Sequence, residues 1–242
     1  MTPVSQCKLI VALDFDRLAP ALRLARKVVS FADMFKVGSQ LFTAEGPRAV
    51  RALARLGVGI FLDLKFHDIP NTVSGAVQAA ASLPEVRLIN IHATGGLQMM
   101  RAAASALAGR RNRPKLLAVT ILTSLDAAAL RRIGLAGHSE RRVVKLAQLT
   151  QQAGLDGVVA SAHEMQSIRR ACGQNFLIVV PGIRPNRPAA SRRDDQSRTA
   201  TPAEAARAGA DYIVVGRPIT AAPNPAAAAR AIAQELALAS RN

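Results

Sequence analysis

Hydrophobic residues along the chain gather into eight short runs, at 9–14, 34–38, 59–65, 88–93, 115–122, 157–161, 176–183 and 212–217. Most are near-continuous in Val, Ile and Leu, the pattern of strands buried on both faces of a parallel sheet. Between the runs the spacing changes to a helical period. Leu18, Leu22, Ala25 and Val29 follow one another at such a spacing after the first run. Pro47 to Leu56 reads as a helix with proline in its first turn and Gly57 past its end. Thr201-Pro202-Ala203-Glu204 has the form of a capping box, and Asn224-Pro225 opens the last helix in the same manner. Eight strand-then-helix units in one composition regime predict an α/β fold, a closed (β/α)8 TIM barrel built as a single domain over residues 1–242. An open doubly wound sheet is the alternative. It usually has fewer strands and a glycine-rich first turn, whereas the turn here is Asp14-Phe15-Asp16-Arg17.

The third run carries the densest polar pattern. In Ile60-Phe-Leu-Asp63-Leu-Lys65-Phe-His-Asp68-Ile-Pro-Asn-Thr72 an apolar strand turns into polar, turn-forming sequence. Alternation along an extended strand puts Asp63 and Lys65 on one face and Leu62, Leu64 and Phe66 on the other. Placing an acid and a base together on a buried face is costly unless they pair. A structural ion pair would satisfy that condition. Asp68, Pro70, Asn71 and Thr72 just past the strand end favour chemistry, because α/β folds place their sites there.

Other strand ends add to the pattern: Asp14, Lys36, His92, Thr120 with Thr123, Ser161, Pro181-Gly-Ile-Arg184, and Gly216-Arg217. A barrel brings all of these to one mouth. Gly216-Arg217 suits a phosphate, glycine admitting backbone N–H groups and arginine adding a charged fork. The blander readings are a hydrogen-bonded core histidine for His92 and backbone capping for Thr120 and Ser161. Met99-Met100 reads as helix packing. The polar segment 184–199 is long for a connection within one domain and reads as a lid over the mouth.

Composition changes the picture only in part. Hydrophobic residues make up 50% of the chain and aromatic residues 3%, so the core must come from Val, Ile, Leu and Ala. A net charge of +16 invites a nucleic-acid reading, but the basic residues are scattered and no aromatic residues interleave them for base stacking. The same charge favours a small anionic substrate. Cys7 and Cys172 imply neither a disulfide framework nor a zinc site. The first apolar run is too short for a signal-peptide core or a membrane span, and a cytoplasmic protein is expected.

Taken in order, Leu9-Ile-Val-Ala-Leu-Asp14, Phe35-Lys-Val-Gly38, Asp63-Leu-Lys65-Phe-His-Asp68-Ile-Pro-Asn-Thr72, Asn90-Ile-His-Ala93, Val119-Thr-Ile-Leu-Thr-Ser124, Gly154-Leu-Asp-Gly-Val-Val159, Pro181-Gly-Ile-Arg184 and Val215-Gly-Arg-Pro218 resemble the bacterial orotidine 5'-monophosphate decarboxylases. The resemblance covers nearly the whole chain. It implies conversion of orotidine 5'-monophosphate to uridine 5'-monophosphate (UMP) in pyrimidine biosynthesis, with no cofactor and no metal. It also implies roles for individual residues. Asp14 and Lys36 resemble ribose ligands, Lys36 also joining a charged network. Asp63 resembles the neighbour of the substrate carboxylate, and Lys65 the proton donor to C6. Asp68 and Thr72 resemble residues that reach into the partner's site across a homodimer interface. Thr123 and Pro181 resemble pyrimidine contacts, and Arg184, Gln196, Gly216 and Arg217 a phosphate-binding set. The loop before Gln196 is a few residues longer than usual in the family, which bears on where Gln196 falls. One alternative is a Mg²⁺-dependent relative on the same barrel, such as a 3-keto-gulonate 6-phosphate decarboxylase or a hexulose-phosphate synthase. The Ile69-Pro-Asn-Thr72 continuation and Pro181-Gly-Ile-Arg184 argue against it. The other alternative is a basic nucleic-acid-binding protein.

Overall fold

A computed structural model of the protein describes residues 7–135, 139–185 and 199–239. Its strands are β1 (Lys8–Ala12), β2 (Met34–Gly38), β3 (Gly59–Phe66), β4 (Val86–His92), β5 (Lys115–Val119), β6 (Gly157–Val159), β7 (Leu177–Val180) and β8 (Tyr212–Val215). Each pairs in parallel with the next, and β8 returns to pair with β1, so the sheet closes into a barrel. The closed barrel replaces the open-sheet alternative.

The helices that matter for the site and its support are α1 (Leu18–Val28), which follows β1, α2 (Pro70–Ala81), which follows β3, and α3 (Met165–Cys172), which follows β6. A short helix α4 (Arg217–Thr220) follows β8 directly, and α5 (Pro225–Ala239) ends the described chain. The expected helix from Pro47 stops at Ala54. The N–H groups of Leu56 and Gly57 bond three residues back, to Leu53 and Ala54, and Gly57 takes φ +78°, so the last turn tightens before the chain leaves. In α1 the buried stripe is Leu18, Ala21, Leu24, Ala25 and Val28. Leu22 lies at its edge, and Val29 opens a separate 3-10 turn. The capping box at Thr201 forms as expected, and Asn224 Oδ1 accepts the Ala227 N–H at 3.1 Å.

Strand alternation divides the core into two layers. Ile10, Ala12, Met34, Phe61, Leu88, Leu117, Val119, Val159, Val179 and Val214 fill the barrel interior. Their neighbours, among them Leu9, Val11, Phe35, Leu62, Ile89 and Val180, pack outward against the helices. Aliphatic side chains suffice because the interior of an eight-stranded barrel is narrow. Gly157 marks a tight approach of β6 to β7, since a Cβ there would overlap the Leu177 carbonyl.

Aspartates tie the N-terminal ends of the strands together. Asp33, Asp156 and Asp211 immediately precede β2, β6 and β8 and accept the backbone N–H groups of Leu9, Leu116 and Ile178 on the preceding strands, at 2.7–2.8 Å. Arg113 and Lys115 hold Asp156, and Arg169 on α3 holds Asp211. These ties lie at the end of the barrel away from the polar mouth.

At the other end, the expected lid falls almost wholly in 186–198, outside the described residues, as does Gln196. Its two ends are joined: Ile183 bridges to Ala200, and the Arg184 N–H donates to the Ala200 carbonyl at 2.9 Å.

Candidate active site

The interior face of the barrel changes character at the C-terminal ends of the strands. Reading alternate residues upward gives Ile10-Ala12-Asp14, Met34-Lys36-Gly38, Phe61-Asp63-Lys65 and Leu88-Asn90-His92, apolar below and polar above. A cavity of about 260 Å³ opens there, lined among others by Asp14, Lys36, Asp63, Lys65, Thr123, Pro181, Arg184, Gly216 and Arg217. Nine of the residues expected from sequence thus meet in one place.

Four of them form a line of alternating charge. Lys36 Nζ lies 2.7 Å from Asp14 Oδ1 and 3.4 Å from Asp63 Oδ2, and Lys65 Nζ lies 2.7 Å from Asp63 Oδ1. Burial by itself would push Lys36 towards the neutral amine, but the charges of Asp63 and Asp14 outweigh it and hold its pKa above the ordinary lysine value. Burial would likewise raise Asp63. Lys36, Lys65 and hydrogen bonds from Lys65 and Asn90 outweigh that and hold Asp63 below the usual carboxylate range. Gly38 leaves room for the line: a Cβ there would stand 2.8 Å from Lys36 Nζ and 3.2 Å from Asp14 Oδ1.

Lys65 departs from the regular strand expected for it. Its φ is +51°, in the left-handed region that side-chain-bearing residues seldom adopt. The β3–β4 register jumps at the same place, from Leu62 opposite Ile89 to Phe66 opposite Ile91. Two residues of β4 therefore face four of β3, and this bulge brings the Lys65 ammonium back over Asp63.

Asp68 and Thr72 are not brought into the cavity by this chain. They line a second groove with Leu64, Lys65, Phe66, His67 and Val73, Lys65 lining the cavity as well, and Ile69 beside them is 66% exposed. Asp68 Oδ1 accepts the Ile69 N–H at 2.6 Å. Within one chain, then, the charged line runs from Asp14 to Lys65. His92 is half-buried, contrary to a core histidine. Its ring centroid lies 5.2 Å from that of His67, and burial together with the charges of His67 and Lys65 lowers its pKa despite Asp63. Thr120 and Ser161 do bond backbone: Thr120 Oγ1 donates to the Val159 carbonyl, and Ser161 Oγ accepts the His163 N–H. Met99 and Met100 are buried in the outer core.

Residues 7–232 match the model of the orotidine 5'-phosphate decarboxylase / HUMPS family. The chain belongs to this family. It is 54% identical to the orotidine 5'-phosphate decarboxylase of Moorella thermoacetica, over 95% of this chain and 92% of that one. It is 52% identical to that of Nitrosococcus oceani, over 96% and 99%. Among solved structures, the orotidine 5'-phosphate decarboxylase of Lactobacillus acidophilus superposes with a TM-score of 0.80 at 38% identity, covering 95% of this chain and 99% of that one. Membership accounts for the order of the polar strand ends. Contributors not expected from sequence include Asn90 and the loop residues Ile121, Leu122 and Ser124 beside Thr123 in the lining. For Asn90 the signal was its parity, two residues above inward-facing Leu88 on the same face of β4.

Proposed function

We propose that the protein decarboxylates orotidine 5'-monophosphate to UMP in pyrimidine biosynthesis, using its own side chains and no cofactor. The observation that carries this is the line Asp14–Lys36–Asp63–Lys65, which ends in an ammonium reaching into the cavity. Breaking the C6–carboxylate bond leaves an electron pair on C6 with no adjacent carbonyl to accept it. A fixed ammonium stabilises that charge as it develops, and Lys65 then gives a proton to C6 as carbon dioxide departs. Asp63 keeps Lys65 oriented and its partner charges balanced. Asp14 and Lys36 take ribose hydroxyls, and Thr123 and Pro181 take the pyrimidine. Arg184 past the end of β7, Gly216 just past β8 and Arg217 at the start of α4 take the phosphate, with Gln196 joining them. The segment 184–199 acts as the lid, so that phosphate binding far from the reacting bond helps to assemble the charged site.

The protein acts as a cytoplasmic homodimer, and Asp68 and Thr72 complete the neighbouring site. Support for this comes from their position outside the chain's own cavity, beside exposed Ile69. Among the described residues, no helix is long and apolar enough to cross a membrane. A Mg²⁺-dependent reaction in the same family would need carboxylates open to a cation. Here Asp63 is buried and engaged by the ammonium groups of both Lys36 and Lys65, and Asp14 bonds Lys36 through Oδ1.

The test is a spectrophotometric assay of the purified protein with orotidine 5'-monophosphate in excess chelator, beside Lys65→Ala. Chelator-resistant formation of UMP, abolished in the variant, is expected. Turnover that a chelator removes would instead assign the protein to the metal-dependent chemistry.

A further inference from the structure

We infer that Asn90 is the positioning residue of the acid–base pair, its one side-chain amide fixing both the Asp63 carboxylate and the Lys65 backbone. This rests on the reading of Lys65 as proton donor and deepens it. Asn90 is fully buried at the middle of β4. A buried amide must find partners for both its ends. Its Nδ2 donates to Asp63 Oδ1 at 2.6 Å, and its Oδ1 accepts the Lys65 N–H at 2.8 Å.

Both bonds lie where the ladder fails. Across the β3 bulge, Lys65 has no regular β4 partner, and its N–H would stand unsatisfied in the barrel interior. The Asn90 carbonyl takes the place of the missing ladder acceptor. It thereby holds the left-handed backbone that aims the Lys65 side chain. The other end of the same amide orients Asp63. Oδ1 receives Asn90 Nδ2 and Lys65 Nζ, while Oδ2 faces Lys36 Nζ. An amide can do this without adding charge to the line. A carboxylate at the same place would set a second negative group against Asp63.

Asn90→Leu and Asn90→Asp separate the roles. In Asn90→Leu we expect kcat to fall about a hundredfold, the scale for a catalytic group misplaced by roughly an ångström. KM and affinity for UMP should stay within a few-fold, because phosphate and ribose contacts lie elsewhere. Asn90→Asp should be as impaired at neutral pH but recover relative to the unaltered protein as pH falls. Once protonated, the introduced carboxyl can again donate to Asp63. The charged groups around it are Asp63 and Lys65 on β3, Lys36 on β2, and His92 on β4 with His67 against it. On β5 its pair is the apolar Leu117.

A kcat for Asn90→Leu within threefold of the unaltered protein, or a loss confined to KM, overturns the assignment. If that variant does not fold, Asn90→Asp decides, and a pH profile parallel to the unaltered one overturns it. Hydrogen exchange at the Lys65 amide reads the clamp independently of substrate. Protection there in a protein that does not turn over orotidine 5'-monophosphate would sink the substrate reading and leave the clamp standing. Rapid exchange in the unaltered protein would sink the clamp itself.

Discussion

Lys36 and Asp63 are each about nine-tenths removed from solvent, and each is tolerable only because of the charges beside it, Asp63 and Asp14 for Lys36 and Lys36 and Lys65 for Asp63. Their titrations set opposite limits on stability. Asp63 has a depressed folded pKa, so its contribution is complete above the unfolded carboxylate value and is lost as pH falls through the folded one. Lys36 has a raised folded pKa, so its contribution is complete below the unfolded lysine value and is lost as pH rises through the folded one. A stability plateau around neutrality follows. Lys36→Ala removes one of the two cations beside Asp63, which keeps Lys65 and Asn90, and leaves Asp14 to solvent; it should cost about 2 kcal/mol near pH 7. The deficit should shrink towards about pH 3, below the unfolded carboxylate value, where the hold of Lys36 on the charged form of Asp63 no longer counts in full. Urea denaturation at the two pH values measures this, and a deficit independent of pH would contradict it. Gly38→Ala tests the geometry of the same line. Its Cβ would crowd the Lys36 ammonium, so activity should drop about tenfold or more for a stability loss of only ~1 kcal/mol. Unchanged kcat in that variant would mean that Lys36 can move without consequence.

At the scale of elements, the barrel keeps stability and chemistry at opposite ends of its strands. The aspartates before β2, β6 and β8 substitute a side-chain acceptor at the strand starts, and the basic partners of Asp156 and Asp211 are drawn from other segments. Asp156 is held below the ordinary carboxylate value: its burial is outweighed by hydrogen bonds from Arg113, the Leu116 N–H and Lys115. Asp156→Ala should destabilise by ~2 kcal/mol, the range for leaving buried donors unsatisfied, with kcat unchanged. Thermal unfolding beside the activity assay checks both halves of that statement. The third strand is the exception to the division. Its upper half gives up a regular ladder for a bulge, and the residue bearing the strain is the one proposed to donate the proton.

For the whole molecule, one chain assembles most of the expected site but not Asp68 and Thr72. Subunit complementation tests the proposed dimer. Lys65→Ala and Asp68→Asn should each be nearly inactive alone. Mixed under conditions of subunit exchange, half the dimers would carry one variant of each kind, and each of these would hold one intact site. Recovery of about a quarter of the unaltered activity is expected for such a two-fold assembly. No recovery despite demonstrated exchange would place Asp68 in its own chain's chemistry.

Eight aliphatic runs alternating with helical spacing were enough to determine the barrel, because burial on both faces leaves a strand few other places to lie. Closure then dictated that Asp14, Lys36, Asp63, Lys65 and Arg217 share one mouth, so the site was legible as a list of strand ends. Helix limits such as the Thr201 cap were legible too, since capping is local chemistry. The bulge at Lys65 was not, because alternation assumes an unbroken ladder, and only the neighbouring strand reveals where it breaks. Asn90 was hidden for the same reason. Between two isoleucines it reads as an ordinary interruption of a buried strand, and its meaning depends on groups 25 and 27 residues away in the chain. The sequence by itself thus determined which residues meet. Tertiary structure decided how they are held, because orientation depends on hydrogen bonds between strands that no single strand encodes.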